Sequence, residues 1–396
     1  MAKTVQSSGM RLRAIALALA ISLVPATVAT QAQTFTVLYS LTGGTDGGTS
    51  YGGLIRDRAG NLYGTTYYGG TGGCYDGFAY GCGTVFKVDP SGTETVLHSF
   101  TATGKDGAYP LAGLVADSAG NLYGTTSTGG DNYAGIVFKL NKTGEETVLW
   151  GFSDATDGGY PAAGLIRDAS GNLYGTAEGG GVYDYGVVFK LDKGGHETVL
   201  YSFSGTGGDA QAPIAGLVRD AAGNLYGTTP FGGASDMGAV FKLDKKGKEI
   251  VLYSFSGGTD GKYPQDSLAL DAEGNLYGTA LLGGRSYGVV FKVDKNGEET
   301  VLHDFDLSDG SLPSANLVRD GSGNLYGTAT YGGAGKVGTV FKTARTGKVT
   351  VLHSFSYETE GGNPVAGLFR DAQGNLYGST PEYGPWGFGT VFKLTP

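Results

Sequence analysis

The chain predicts an all-β fold, a seven-bladed β-propeller with four antiparallel strands per blade. Three observations lead there. The stretch Gly-Asn-Leu-Tyr-Gly opens at Gly60 and returns at Gly120, Gly171, Gly223, Gly274, Gly323 and Gly374, seven copies about fifty residues apart. A fixed period of that length marks an array whose units bury their faces against one another. Each period holds runs of five to seven residues rich in β-branched and aromatic types, bounded by Gly or Asp, and none shows a helical period of useful length. Gly fills 74 of 396 positions, against an ordinary share of ~7%. It lacks a Gly-X-Y period, which excludes collagen, and the apolar content excludes a disordered linker.

In chain order, Lys3, Arg11 and Arg13 precede an apolar run from Ala14 to Val24 and then small residues to Ala32. That pattern predicts a secretory signal peptide over residues 1–32, cut after Ala32 or Ala29, with Met10 as an alternative start. No Cys stands directly after the run, so lipidation is not expected. No later stretch reaches the ~18 apolar residues of a membrane span. Residues 33–396 then hold seven repeats of about 52 residues.

The fourth copy shows the unit. Ala215–Asp220 reads as a short strand, Ala221–Asn224 as a turn capped by Asp220, and Leu225–Thr229 as a second strand. A Gly-Gly loop through Gly232 and Gly233 follows. Ala239–Leu243 makes a third strand, Asp244–Gly247 a turn and Ile250–Phe255 a fourth strand. Four hairpin-joined strands repeated in this way describe a propeller blade. The last copy lacks its fourth strand, whereas Phe35–Ser40 stands ahead of the first copy without a partner. The N-terminal strand is therefore expected to complete the last blade and remove an exposed edge. Tyr63, Phe86 and Phe100 with their counterparts are expected to pack between blades, and the Gly after each Tyr to let neighbouring sheets approach.

Composition narrows the partners. Without the three basic residues of the signal the formal net charge moves from −9 to −12. Such a chain is a poor nucleic-acid binder.

Catalytic signatures are absent. No Gly-x-Ser-x-Gly elbow stands between a strand and a helix. His98, His303 and His353 fill a slot held elsewhere by Tyr39, Trp150, Tyr201 and Tyr253, one per blade, and His196 lies in a hairpin turn. No metal site is expected from these four. Cys74 and Cys82 flank an insertion in the first Gly-Gly loop and are expected to pair as a disulfide. Acidic residues recur between blades at Asp46, Asp106, Asp157, Asp209, Asp260, Asp309 and Glu360; turn chemistry accounts for them, and the alternative is a ring of carboxylates that attracts a cation or a basic partner.

Function is expected where the repeat breaks. Gln265 and Asp266 replace small apolar residues leading into the fifth blade, and Asn316 stands where Gly is usual. The first strand lines a propeller's axis, so these three should cluster at one channel mouth. Nearby loops add Tyr67, Tyr68, Tyr75, Phe231, Tyr331, Tyr383 and Trp386. Carboxylate, amide and ring faces together suit a sugar or peptide.

The repeat Ala-Gly-Leu-Val-Arg-Asp…Gly-Asn-Leu-Tyr-Gly-Thr-Thr…Gly-Gly…Val-Phe-Lys, closing on Thr-Val-Leu-His-Ser-Phe, resembles the GloVer tandem repeat over essentially all of residues 33–396. That family comprises exported bacterial proteins, many ending in surface anchors. The Asp-x-x-Gly-Asn-Leu-Tyr run is more distantly similar to NHL-type and lactonase-like propellers. The resemblance implies export and a propeller but supplies no catalytic residues. Only Leu394-Thr395-Pro396 follow Lys393, so a surface anchor is not expected. The resulting expectation is a monomeric periplasmic or extracellular scaffold without a cofactor, binding carbohydrate or a protein on the Gly-Gly loop face. The alternatives are a hydrolase or lactonase with a divalent cation held in the channel by Asp266, and a purely structural envelope protein.

Overall fold

The computed structural model describes residues 1–2, 33–75 and 80–396. The signal-peptide reading lies outside the described residues. Residues 33–396 form seven four-stranded antiparallel sheets, one of which gains an additional strand at Ser311–Pro313. Among the described residues there is no helix, and none is therefore long and apolar enough to cross a membrane.

The fourth blade again represents the unit. Its strands are Val218–Arg219, Leu225–Thr229, Ala239–Leu243 and Glu249–Ser254. The innermost strand is shorter than the sequence predicts. The Ala215 carbonyl accepts a hydrogen bond from Thr176 Oγ1 of the preceding blade at 2.9 Å, so this backbone joins blades instead of extending a ladder. The turn after Arg219 is held by Asp220. It accepts from the Asn224 backbone and side-chain amides and from the Tyr226 hydroxyl, at 2.9, 2.6 and 3.0 Å. Gly223 supplies the φ of +91° that this turn requires. Between the third and fourth strands the register shifts at Val240/Phe241, a bulge that increases the twist of the blade.

The ring closes through the chain's two ends. Thr34–Ser40 pairs antiparallel with Thr390–Thr395, with Thr36 opposite Lys393 and Tyr39 opposite Val391. The seventh sheet thus takes its outermost strand from the beginning of the array.

The core lies between the sheets. Phe100 of blade 1 meets Phe138 of blade 2 edge to face at 5.2 Å, and five further Phe pairs repeat this around the ring. At the closing seam fully buried Leu41 holds the corresponding position. The Gly after each Tyr serves a different purpose from the one the sequence suggested. A Cβ on Gly227 would stand 2.7 Å from the ring of Phe241 and 3.1 Å from Leu217, both in its own blade. The missing side chain admits the blade's own Phe, not a neighbouring sheet.

Each Tyr of the Asp-Asn-Tyr turn also faces the next blade. Arg56, Arg167, Arg219, Arg319 and Arg370 each lay a guanidinium over the Tyr ring of the preceding blade, at 5.3–5.9 Å. Ala116 and Leu270 hold this position in blades 2 and 5. Cavities of about 650 and 550 Å³ lie at these two seams.

Candidate functional site

Seven short lead-ins converge on the axis. Their small residues allow it: a Cβ on Gly52 would lie 2.5 Å from the Ala112 backbone, and one on Gly113 would lie 2.5 Å from the Gly53 carbonyl. A cavity of about 380 Å³ remains, lined by all seven lead-ins. Gln265, Asp266 and Asn316 all line it, and Asp266 is the only charged residue among the described residues that do.

These substitutions rewire one seam. Elsewhere a Thr hydroxyl, or Ser379 in blade 7, donates to the lead-in carbonyl of the next blade, as Thr65 does to Ala112 at 2.9 Å and Thr125 to Ala163 at 3.0 Å. In the fifth blade Thr279 donates instead to Asp266 Oδ2 at 3.2 Å. Asn316 Oδ1 accepts from the Ser267 backbone at 2.8 Å, which restores a link between blades 5 and 6. Asp266 is part-buried and lines the channel. Burial lifts its carboxyl to about 7, against the opposing pull of the Thr279 hydrogen bond. A carboxyl raised in this way keeps its proton to higher pH than an ordinary aspartate and, while protonated, can donate as well as accept.

The aromatic residues divide into two groups. Tyr67 is half-buried and bridges outward from the channel, lying 5.6 Å from Tyr51, which lines the cavity, 4.7 Å from Tyr68 and 4.8 Å from Tyr109. Tyr51 and Tyr109 did not stand out in the sequence because each sits in a lead-in beside Gly or Pro. The second group is spread around the rim. Tyr75 stacks on Tyr80 at 4.6 Å, Phe231 lies against Tyr263, and Tyr383 meets Tyr357 edge to face. Tyr331 and Trp386 are exposed, on blades 6 and 7. The structure thus joins the channel trio and the Tyr51–Tyr67–Tyr109 strip, and leaves Phe231, Tyr331 and Trp386 on separate blades.

One asymmetry went unread in the sequence. Every exposed Tyr, Phe or Trp among the described residues belongs to a Gly-Gly loop or to the crossover beside it. Tyr133, Tyr160, Tyr183 and Tyr185 join the residues already named. The opposite face carries the Asp-Asn-Tyr turns and the hairpins rich in Lys. Cys74 and Cys82 form a disulfide at the base of the first loop.

The recurrent acidic residues serve their own crossovers. Asp209 accepts from the Ser204 backbone and hydroxyl, both at 2.7 Å, and from the Tyr201 hydroxyl at 3.1 Å.

No curated protein matches the chain. Among solved structures, the extracellular domain of a proposed hybrid two component system from B. thetaiotaomicron is similar, with a TM-score of 0.56 at 14% identity. The match covers 92% of this chain and 41% of that one, so the chain spans less than half the length of that relative, and the likeness is one of fold. A gluconolactonase from Xanthomonas campestris gives a TM-score of 0.43 at 15% identity, over 70% of this chain and 82% of that one. The Gloeobacter/Verrucomicrobia repeat profile matches residues 26–170, 71–287 and 163–392. Seven Asp-Asn-Tyr turns on one closed ring and a profile spanning nearly its whole length make this chain a member of the Gloeobacter/Verrucomicrobia repeat family.

Proposed function

We propose that the protein is an exported binding scaffold that takes carbohydrate on its Gly-Gly loop face. The carrying observation is that, among the described residues, every exposed aromatic side chain lies on that face. Rings presented at separate points around a rim suit a ligand with repeated flat apolar surfaces and many hydroxyls, which is the chemistry of a glycan chain. The channel mouth adds the amides of Gln265 and Asn316 and the titrating acid of Asp266, which can fix one sugar's hydroxyls. Export is supported by the disulfide, since such bonds persist in oxidising compartments.

The enzymatic alternative would hold a divalent cation at Asp266. It draws on a single carboxylate whose Oδ2 already accepts from Thr279, beside an Asn316 oxygen already engaged with Ser267. The binding reading is therefore preferred.

A glycan array probed with the mature protein tests it. Saturable binding to a restricted set of glycans is expected, weakened about tenfold or more by Trp386→Ala or Tyr331→Ala, both exposed positions whose loss leaves the core intact. A blank array, or variants that bind like the wild type, would overturn the proposal.

A further inference from the structure

We infer that His98, Asp106 and Glu146 form a binding site for a divalent transition-metal cation of the zinc type, pinning blade 1 to blade 2. One ligand atom from each lies within 4.8 Å of the other two. His98 Nε2, Asp106 Oδ1 and Glu146 Oε1 are buried and make no hydrogen bond of ordinary length, with the Asp106 carboxylate as the polar neighbour of both His98 and Glu146.

The spacing is informative. His98 Nε2 stands 3.5 Å from Asp106 Oδ1, beyond the ordinary reach of a nitrogen–oxygen hydrogen bond. With zinc bonds of about 2.0–2.2 Å, neighbouring corners of a coordination tetrahedron lie about 3.3–3.6 Å apart. The nitrogen and oxygen are thus already set at a coordination edge, with a Glu146 ligand atom within 4.8 Å of both residues' ligand atoms.

The repeat provides its own controls. His303 and His353 occupy the same slot as His98, yet both sit at hydrogen-bond distance from their acids, 2.8 Å to Asp309 and 3.1 Å to Glu360. In their seams the position equivalent to Glu146 holds Val349 and Phe35, and the Phe35 ring stacks on His353 at 3.9 Å. Conversely, Glu94, Glu249 and Glu299 keep the glutamate and its buried Oε1. They share a seam with Tyr39, Tyr201 and Tyr253, whose hydroxyls donate to Asp46, Asp209 and Asp260. Glu197 shares its seam with Trp150, which offers no ligand. Imidazole, aspartate and glutamate coincide only between blades 1 and 2.

The surroundings orient the ligands. Thr101 donates its backbone N–H and its hydroxyl to Asp106 Oδ2 at 2.7 and 2.6 Å, which leaves Oδ1 as the free oxygen. The Phe100 ring holds the imidazole edge to face at 4.8 Å. Such supports are what a ligand shell requires. The His98 and Asp106 side chains remain 19% and 14% exposed, which leaves an ion a way in from solvent. Sequence reasoning missed the site because it weighed the histidines against one another, while the third ligand comes from the next repeat.

The test is Co²⁺ and Zn²⁺ titration of chelator-treated, full mature protein. The wild type is expected to bind one Co²⁺ per chain with visible ligand-field absorption, displaced by Zn²⁺, and to melt at a higher temperature with Zn²⁺ present. His98→Tyr recreates the arrangement of three sister seams and should fold normally, as its melting without metal will report. It is expected to lose the absorption and to weaken Zn²⁺ binding at least a hundredfold. Glu146→Gln should weaken binding about tenfold or more, and His303→Tyr should leave it unchanged. Absence of saturable one-to-one binding in the wild type, or a His98→Tyr protein that binds as the wild type does, overturns the inference.

Discussion

At the scale of single residues, the Asp-Asn-Tyr turn carries most of the repeat's local order. Burial alone would raise the carboxyl of Asp220, yet the hydrogen bonds from Asn224 and Tyr226 hold it below the usual carboxylate range, and Tyr226 is pushed up to about 12. Asp220→Ala should cost about 1.5–3 kcal/mol, the range for losing hydrogen bonds to a charged acceptor, read as a lower urea midpoint. The capping role of this Asp was legible from its place before the Gly-Asn pair. The Tyr hydroxyl's part was not, because a Tyr in an apolar run reads as core. A second set of acids behaves oppositely. Burial first, and then the facing Asp46, Asp157, Asp209 and Asp260, raise Glu94, Glu197, Glu249 and Glu299 to about 7 from an ordinary 4.5. A folded value above the unfolded one gives stability that is complete below about 4.5 and is lost as pH rises through about 7. The turn aspartates work in the other direction, losing their contribution as pH falls below the normal carboxylate range. Calorimetry should therefore show a higher melting temperature at pH 5.5 than at pH 8.

At the scale of elements, the seam between blades is the unit of stability. Phe255 is fully buried and meets Phe291 edge to face at 5.1 Å. Phe255→Ala should cost about 3–5 kcal/mol through lost burial and the cavity left behind, measured by chemical denaturation. The two seams without an Arg make the converse prediction. Ala116→Arg would place a guanidinium over Tyr63 beside the cavity of about 650 Å³. A stabilisation of about 0.5–1 kcal/mol is expected from the cation–π contact, seen as a higher melting temperature. The Arg series is plain in the sequence, since five of seven repeats carry it. Its partner is not, because a period reveals which positions are equivalent without revealing which neighbouring copy each one touches. The same blindness hid Glu146 beside His98.

At the scale of the whole molecule, the ring depends on Thr34–Ser40 reaching Thr390–Thr395. A mature chain beginning at Thr42 should expose the outer edge of Thr390–Thr395 and associate through it, so light scattering is expected to find oligomers where the longer chain is monodisperse. This closure was readable from a simple mismatch, one strand too many at the start and one too few at the end. The channel residues were readable too, since Gln265, Asp266 and Asn316 break a pattern that the other blades keep. The Tyr51–Tyr67–Tyr109 strip was not, because it is assembled from lead-ins and a loop that the repeat treats as ordinary. Joining the ends in one sheet also dictates the timing of folding. Thr34–Ser40 is the first strand of the array and Thr390–Thr395 the last, so the seventh sheet has the longest sequence separation of any pairing among the described residues. Six blades can each form from neighbouring strands while that first strand still lacks its partner, so the long-range pairing makes closure the late step of folding.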